Sequence, residues 1–375
     1  MKYFAYADES GHSGLKLFDV KEDTFWTGTV ISVRDLDAKF KAFHNELLGT
    51  VQQPELHGNE LGLGRIDKIA TRLCWFIREK RLRFSFVRVH KPYLGAAKLF
   101  DLIFDSGANP AVPWQAYNVQ QLRQITVMHF LELLTEEDVR EFWALFEAQD
   151  TQRLVSLLRA IEARVSCAPF DARTKQILMD SLGWAAAHPD KVLDPFGLKD
   201  SPNFVAFSAL FQFFHSINDD GVNNTIASFV HDEQGQFVPS FKSAFAYLSV
   251  MKGKTHPLAT LADVTKANTF ECPNLTVAKS SQSFGLQLID LCLWFVKRVY
   301  EQQTPLRGNC VSLMECLQEK SSFNDFSFEA VVQNVSRGAK SIYSRPFTAD
   351  DEQRAKALLA QTEEQRLARM SAPID

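Results

Sequence analysis

The sequence predicts an α/β protein: a mixed sheet with antiparallel early strands and parallel later ones, interrupted by a large helical insertion. Three observations predict it. The first ninety residues hold three segments rich in β-branched and aromatic residues, Lys2–Ala7, Thr24–Val33 and Arg81–His90. From Pro92 to Gly221 apolar residues recur at three- and four-residue spacing, as in QQLRQITVMHFLELL and NFVAFSALFQFFHSI. Strand character then returns at Thr225–His231, and a parallel partner for the first strand needs a long crossover, which the helical run supplies.

The elements follow in order. Lys2–Ala7 is apolar and ends in Asp8 and Glu9, then Ser10 and Gly11. After Thr24–Val33 comes a helix over Asp35–Leu48, a loop PELHGNELGLG, and a helix over about Ile66–Lys80. Arg81–His90 carries Arg81, Arg83 and Arg88 beside Lys80, so it reads as a sheet edge protected by charge. Thr225–His231 also ends in acids, Asp232 and Glu233. A helix over about Ser240–Met251 and a short strand near Leu275–Ala278 follow. Next is SSQSFGLQLIDLCLWFVKRVY, where Ser281 or Ser283 caps a strongly apolar helix. The tail from Ala349 to about Met370 is a charged, weakly amphipathic helix expected at the periphery.

Composition limits the function. Hydrophobic content of 46% and charged content of 23% fit an ordinary soluble chain, and the 31 phenylalanines point to wide helix-packing faces. A net charge of -4 gives no global pull on a polyanion or membrane, so any such attraction must be local. The candidate basic groups are Arg78, Lys80, Arg81, Arg83, Arg88, His90, Lys91, Lys297 and Arg298; edge protection and helix-end charge explain them equally well. Six scattered cysteines form no C-x-x-C pair, which fits reduced thiols in a cytoplasm. No signal peptide is expected before the first strand, and no stretch reaches the roughly 18 apolar residues that span a bilayer.

The chemistry concentrates in the acids. Parallel neighbours would bring Asp8 and Asp232 side by side at the carboxyl ends of their strands, where open α/β sheets place ligands. Asp290 lies among Leu288, Ile289, Leu291 and Leu293, with Gln287 one turn earlier on the same face. An unpaired buried carboxylate costs several kcal/mol, so Asp290 needs a cation, a proton or hydrogen-bond donors. A hard divalent ion such as Mg²⁺ or Mn²⁺ would satisfy Asp8, Asp232 and Asp290 together, whereas the ligands are wrong for zinc. Taken singly, each acid has a plainer explanation as a turn, a cap or an arginine partner. The glycines around Ser13 lack the spacing of a nucleophile elbow.

The combination of D-E-S-G after the first strand, an E-L-H-x-x-E-L loop, a later acid pair and S-x-x-x-x-x-Q-x-x-D on a late helix resembles a bacterial family. That family is known as domain of unknown function 3800, a branch of the ribonuclease H-like superfamily. Asp8, Glu9, Ser10 and Gly11 carry the first motif; Glu55, His57 and Glu60 the second; Asp232 and Glu233 the third; Ser281, Gln287 and Asp290 the fourth. Ile289 departs from the alanine more usual before the last acid.

The resemblance covers about 2–90 and 222–300 and implies a ribonuclease H-like core over 1–91 and 222–305; outside it, the residue pattern predicts a helical insertion over 92–221 and a C-terminal helical extension over 306–375. The resemblance also implies a Mg²⁺- or Mn²⁺-dependent nuclease acting on RNA or DNA, with a role in defence against phage or mobile elements. Asp8, Asp232, Asp290 and Glu60 would hold metal, with Glu9 among the catalytic acids and His57 moving a proton. The competing expectation is a non-catalytic module that binds nucleic acid or protein. A protein partner or second copy would use the insertion or the C-terminal helix.

Overall fold

Six strands line up in the order β5-β4-β1-β2-β3-β6. They are β1 (Lys2–Ser10), β2 (Thr24–Ser32), β3 (Arg83–His90), β4 (Thr225–Asp232), β5 (Leu275–Ala278) and β6 (Ser321–Phe326). The structure is a computed structural model that describes residues 2–12, 14–19, 21–217, 225–233, 237–250, 275–344 and 346–371. Ser13, Gly221, Gln234, Gly235, Met251 and Cys272, which enter the sequence reading, lie outside the described residues. β1 is central and pairs antiparallel with β2, Asp8 opposite Gly28. On its other side it pairs parallel with β4, Ala7 opposite His231, and β4 pairs parallel with β5.

Chain contacts divide the molecule into two units. One comprises 1–15, 24–89 and 201–325; the other 16–23, 90–200 and 326–375. The sheet belongs to the first, and alternation along β1 gives it two differently covered faces. Tyr6 belongs to a core built with the helices Lys41–Val51, Gly58–Glu79, Phe284–Gln302 and Asn309–Lys320. Ala5 and Ala7 face the other way, onto Phe207, Phe211 and Phe214 of the Pro202–Ser216 helix, with Phe229 of β4 and Phe241.

Several expectations shift. β3 is not an edge, because β6 lies outside it. The polar sequence SSFNDF hides that strand, whose residues are mostly half-buried and show no clean alternation. The helix expected over Asp35–Leu48 breaks at Phe40 into Leu36–Lys39 and Lys41–Val51. The 54–64 segment is not all loop. A helix starts at Gly58, and the glycines that suggested a loop mark a kink, with Gly62 at φ 61° and ψ 173°. Pro202–Ser216 joins the sheet unit instead of the insertion, because its phenylalanines cover a sheet face. The extension after 305 is divided likewise. Cys310, Leu313, Cys316 and Leu317 complete the sheet unit's core, while 326–375 packs in the helical unit.

In the helical unit Phe100 and Phe104 stack with centroids 4.7 Å apart, and Phe130 meets Phe104 edge-on at 5.2 Å. The tail is more than peripheral. Arg366 of the Ala349–Ser371 helix is buried and donates to Glu363, to Asp180 and to the Ala111 carbonyl. Among the described residues no helix is long and apolar enough to cross a membrane.

Candidate functional site

The strand run does not stop at Ala7. β1 extends through Asp8 and Glu9 to Ser10, so both acids sit inside the sheet and are buried. One step beyond the Ala7–His231 pair, Asp8 and Asp232 occupy adjacent strands, spaced roughly 4.8 Å apart as in any sheet. By alternation they share the face of Tyr6 and Val230, the face crossed by the Phe284–Gln302 helix that carries Asp290.

Two glycines let the backbones approach closely enough. A Cβ on Gly285 would stand 2.2 Å from the Tyr6 ring, and one on Gly58 would stand 2.5 Å from Trp294. The start of the Phe284–Gln302 helix is fixed by its cap. Ser283 Oγ accepts from Leu286 N–H, and Asp37 accepts from Ser283 Oγ and from Gly285 N–H at 2.9 Å each. Asp37 escaped the sequence reading because nothing in LDAK separates it from a solvated first-turn acid.

Gln287 and Asp290 hold the 56–58 segment. Gln287 Oε1 accepts from Leu56 N–H at 3.0 Å and lies 2.8 Å from His44 Nε2, while its amide donates to the Ser280 carbonyl. Asp290 Oδ2 accepts from Gly58 N–H at 2.8 Å and meets His57 Nδ1 at 2.9 Å. The donors that Asp290 required are therefore the first amide of a helix and an imidazole.

The two strand-tip pairs repeat one local geometry. Asp8 Oδ1 accepts from Glu9 N–H at 2.8 Å, and Asp232 Oδ1 accepts from Glu233 N–H at 2.9 Å and from Ser280 N–H at 3.1 Å. One oxygen of each carboxylate is thus engaged. Asp8 Oδ2, Asp232 Oδ2 and Asp290 Oδ1 have no hydrogen-bond partner among the described residues.

The electrostatics are unbalanced. Burial first, then the Asp290 and Asp232 charges, hold the Asp8 carboxyl well above the ordinary carboxylate range. Glu9 points to the opposite face, where burial and then Asp232 push it up to about 7, and its Oε2 is buried without a partner among the described residues. His231 is buried and held down to about 4, its Nδ1 lying 2.7 Å from the Asp232 carbonyl. Lys297, two turns beyond Asp290, donates to Ser10 Oγ at 3.0 Å.

Other expected residues stay apart. Glu60 is exposed in the first turn of the Gly58–Glu79 helix, Glu55 is half-buried, and Glu233 and Ser281 are exposed. No described hydrogen bond or ion pair links their side chains to Asp8, Asp232 or Asp290. Of the basic candidates, Arg88 pairs with Asp325 at 3.2 Å and Lys91 is fully buried with its ammonium on the Glu22 carbonyl. Neither presents a charge to a ligand.

No group of three or more His, Cys, Asp or Glu side chains among the described residues is set to hold a metal ion as it stands. Comparison of the chain with protein-family models, with curated proteins and with solved structures finds no match.

Proposed function

We propose that this chain is a divalent-metal-dependent nuclease that hydrolyses phosphodiester bonds of RNA or DNA. The observation that carries the reading is that Asp8, Asp232 and Asp290, from two parallel strand ends and one helix, lie close enough for the two other acids to add to the burial that raises the Asp8 carboxyl. The strand order supports a ribonuclease H-like fold: β3, β2 and β1 in sequence-adjacent order, then β4 and β5 parallel to β1.

Mg²⁺ or Mn²⁺ fits the donors chemically. Carboxylate oxygens suit hard cations, each of the three aspartates has an oxygen to spare, and a cation would relieve the repulsion that raises Asp8. Because the side chains are not set as a cage, they would have to move to bring those oxygens onto one ion. A bound ion there would supply activation of water and charge neutralisation at phosphorus.

The chain's own groups then have separable tasks. Asp8, Asp232 and Asp290 hold the ion. His57, half-exposed with Nδ1 fixed on Asp290, presents Nε2 to move a proton. The Lys297 ammonium at the strand tip offers a charge to a phosphate oxygen. Glu60 and Glu9 have no ligand role in this scheme, Glu60 because it is exposed and Glu9 because it faces the other side of the sheet.

The test is incubation of labelled single- and double-stranded RNA and DNA with Mn²⁺, beside Asp8→Asn. Cleavage that needs Mn²⁺ and falls at least about a hundredfold in Asp8→Asn is the expected result. Retained nucleic-acid binding with no Mn²⁺-dependent cleavage would favour the non-catalytic module instead.

A further inference from the structure

The Gly58–Glu79 helix begins at the carboxylate site and then presents an unusual outer face. Beyond its kink the exposed residues are Gly64, Arg65, Lys68, Thr71, Arg72, Trp75, Arg78 and Glu79. At 3.6 residues per turn they fall on one stripe, with Trp75 near its middle. Four of the eight are cations and one is an acid, in a chain whose net charge is -4. Sequence reading noticed only Arg78 of this set, because the others are scattered at helical spacing and not in a run.

Trp75 is 48% exposed, which is high for an indole on a helix whose other face is packed. It is held in place from several sides. The Arg72 guanidinium lies 5.0 Å from its ring, Lys80 Nζ lies 5.4 Å from it, and the Phe43 ring is 6.3 Å away. Arg72 is itself anchored by a two-pronged bond to Glu46 at 2.7 and 2.9 Å. Arg78 reaches Glu319 at 3.4 Å. Two cations remain for a ligand: Arg65 donates only to the Glu60 carbonyl, and Lys68 has no partner among the described residues.

From this we infer that the Arg65-Lys68-Arg72-Trp75 stripe binds single-stranded nucleic acid, the backbone lying on Arg65 and Lys68 and a base stacking on Trp75. The proposal rests on the nuclease reading for its direction: the strand would run along the helix from the Asp8-Asp290 site. Arg65 to Trp75 spans about 15 Å, room for a few nucleotides of an extended strand. Single strands fit better than duplex, because an indole needs an unpaired base face, and cations beside aromatics are the usual pairing for such strands. A protein partner fits worse. The core of a protein interface is depleted in lysine and gathers apolar residues, whereas Trp75 is ringed by charge.

The test is fluorescence anisotropy of the full chain in EDTA, with labelled single-stranded RNA, single-stranded DNA and duplex DNA, across a salt series. Trp75→Ala, and Arg65→Ala combined with Lys68→Ala, change exposed residues only, and unchanged melting temperatures show that the fold is intact. Single strands should bind more tightly than duplex. Trp75→Ala should weaken that binding about tenfold or more. The double variant should weaken it for every sequence and lower the salt slope by about two. Variants that bind like the parent would overturn the proposal. So would a preference for duplex that ignores Trp75, or a concentration-dependent dimer that Trp75→Ala removes.

The two readings fail separately. Trp75-dependent binding without Mn²⁺-dependent cleavage removes the nuclease and leaves the stripe. Cleavage lost in Asp8→Asn but untouched in both stripe variants removes the stripe alone.

Discussion

Asp138 and Glu363, in the helical unit, each lie within reach of a guanidinium, while Asp8 and Glu9, at the strand tips of the sheet unit, meet none among the described residues. Asp138 binds both nitrogens of Arg164, and the Thr135 hydroxyl and amide turn toward it. Its carboxyl is held below the ordinary range despite its burial. Glu363, between Arg366 and Arg173, is brought down to about 2. Asp8 and Glu9 go the other way, raised by burial and by other acids. The first arrangement is complete within the chain and stabilises it. The second costs stability as built.

The largest expected break in that contrast is Asp290→Asn. Removing one of the mutually repelling charges should lower Mn²⁺-dependent cleavage by about a hundredfold or more, while the amide oxygen still accepts from Gly58 N–H. Melting without metal should hold or rise. If cleavage persists and the melting temperature drops by several degrees, Asp290 is a helix cap and nothing more.

The helical unit should respond in stability alone. Arg366→Met leaves Glu363 and Asp180 facing a thioether, and should cost about 2 kcal/mol, less than a fully buried pair because both acids are partly exposed. The shift in denaturant midpoint reads it, and cleavage should not change. An unchanged midpoint would mean that this cluster is as marginal as a surface pair.

The smallest effect is a difference in sign with pH, measured by melting in EDTA. Glu9, raised to about 7, keeps its proton in the folded state where the unfolded chain has lost it. That contribution is complete below the ordinary glutamate pKa of about 4.3 and disappears as pH rises through 7. Glu363, lowered to about 2, contributes above the ordinary range and loses its contribution as pH falls through 2. Melting should therefore decline between about pH 5 and 8. A flat profile would remove the contrast between the two units.

What could be read beforehand followed from mismatch between an acid and its surroundings. Asp8 and Asp232 end apolar strands, and Asp290 interrupts an apolar helix, so each conflicts with its own local pattern. Residues that agree with their pattern gave no signal. Asp37 and His44 look like ordinary surface helix positions, yet one caps the Phe284–Gln302 helix and the other meets Gln287. β6 is polar, and the start of the Gly58–Glu79 helix is disguised by glycines that serve a kink and a close approach. Glu60 rested on the loop motif and Ser281 on the last motif and on being one of two possible caps, of which Ser283 is the one used, and spacing does not say which way a side chain points.

The pairing of β1 with β4 has a consequence for the order of events during synthesis. Asp8 leaves the ribosome first, Asp232 only after the helical segment, and Asp290 later still. At about 5–20 residues per second, tens of seconds separate the first acid from the last. Throughout that interval the nascent chain lacks part of the carboxylate set, so an activity that depended on it would arise only after Asp290 has emerged. If the proposed nuclease cuts RNA, topology alone would spare the transcript being read until Asp290 has emerged.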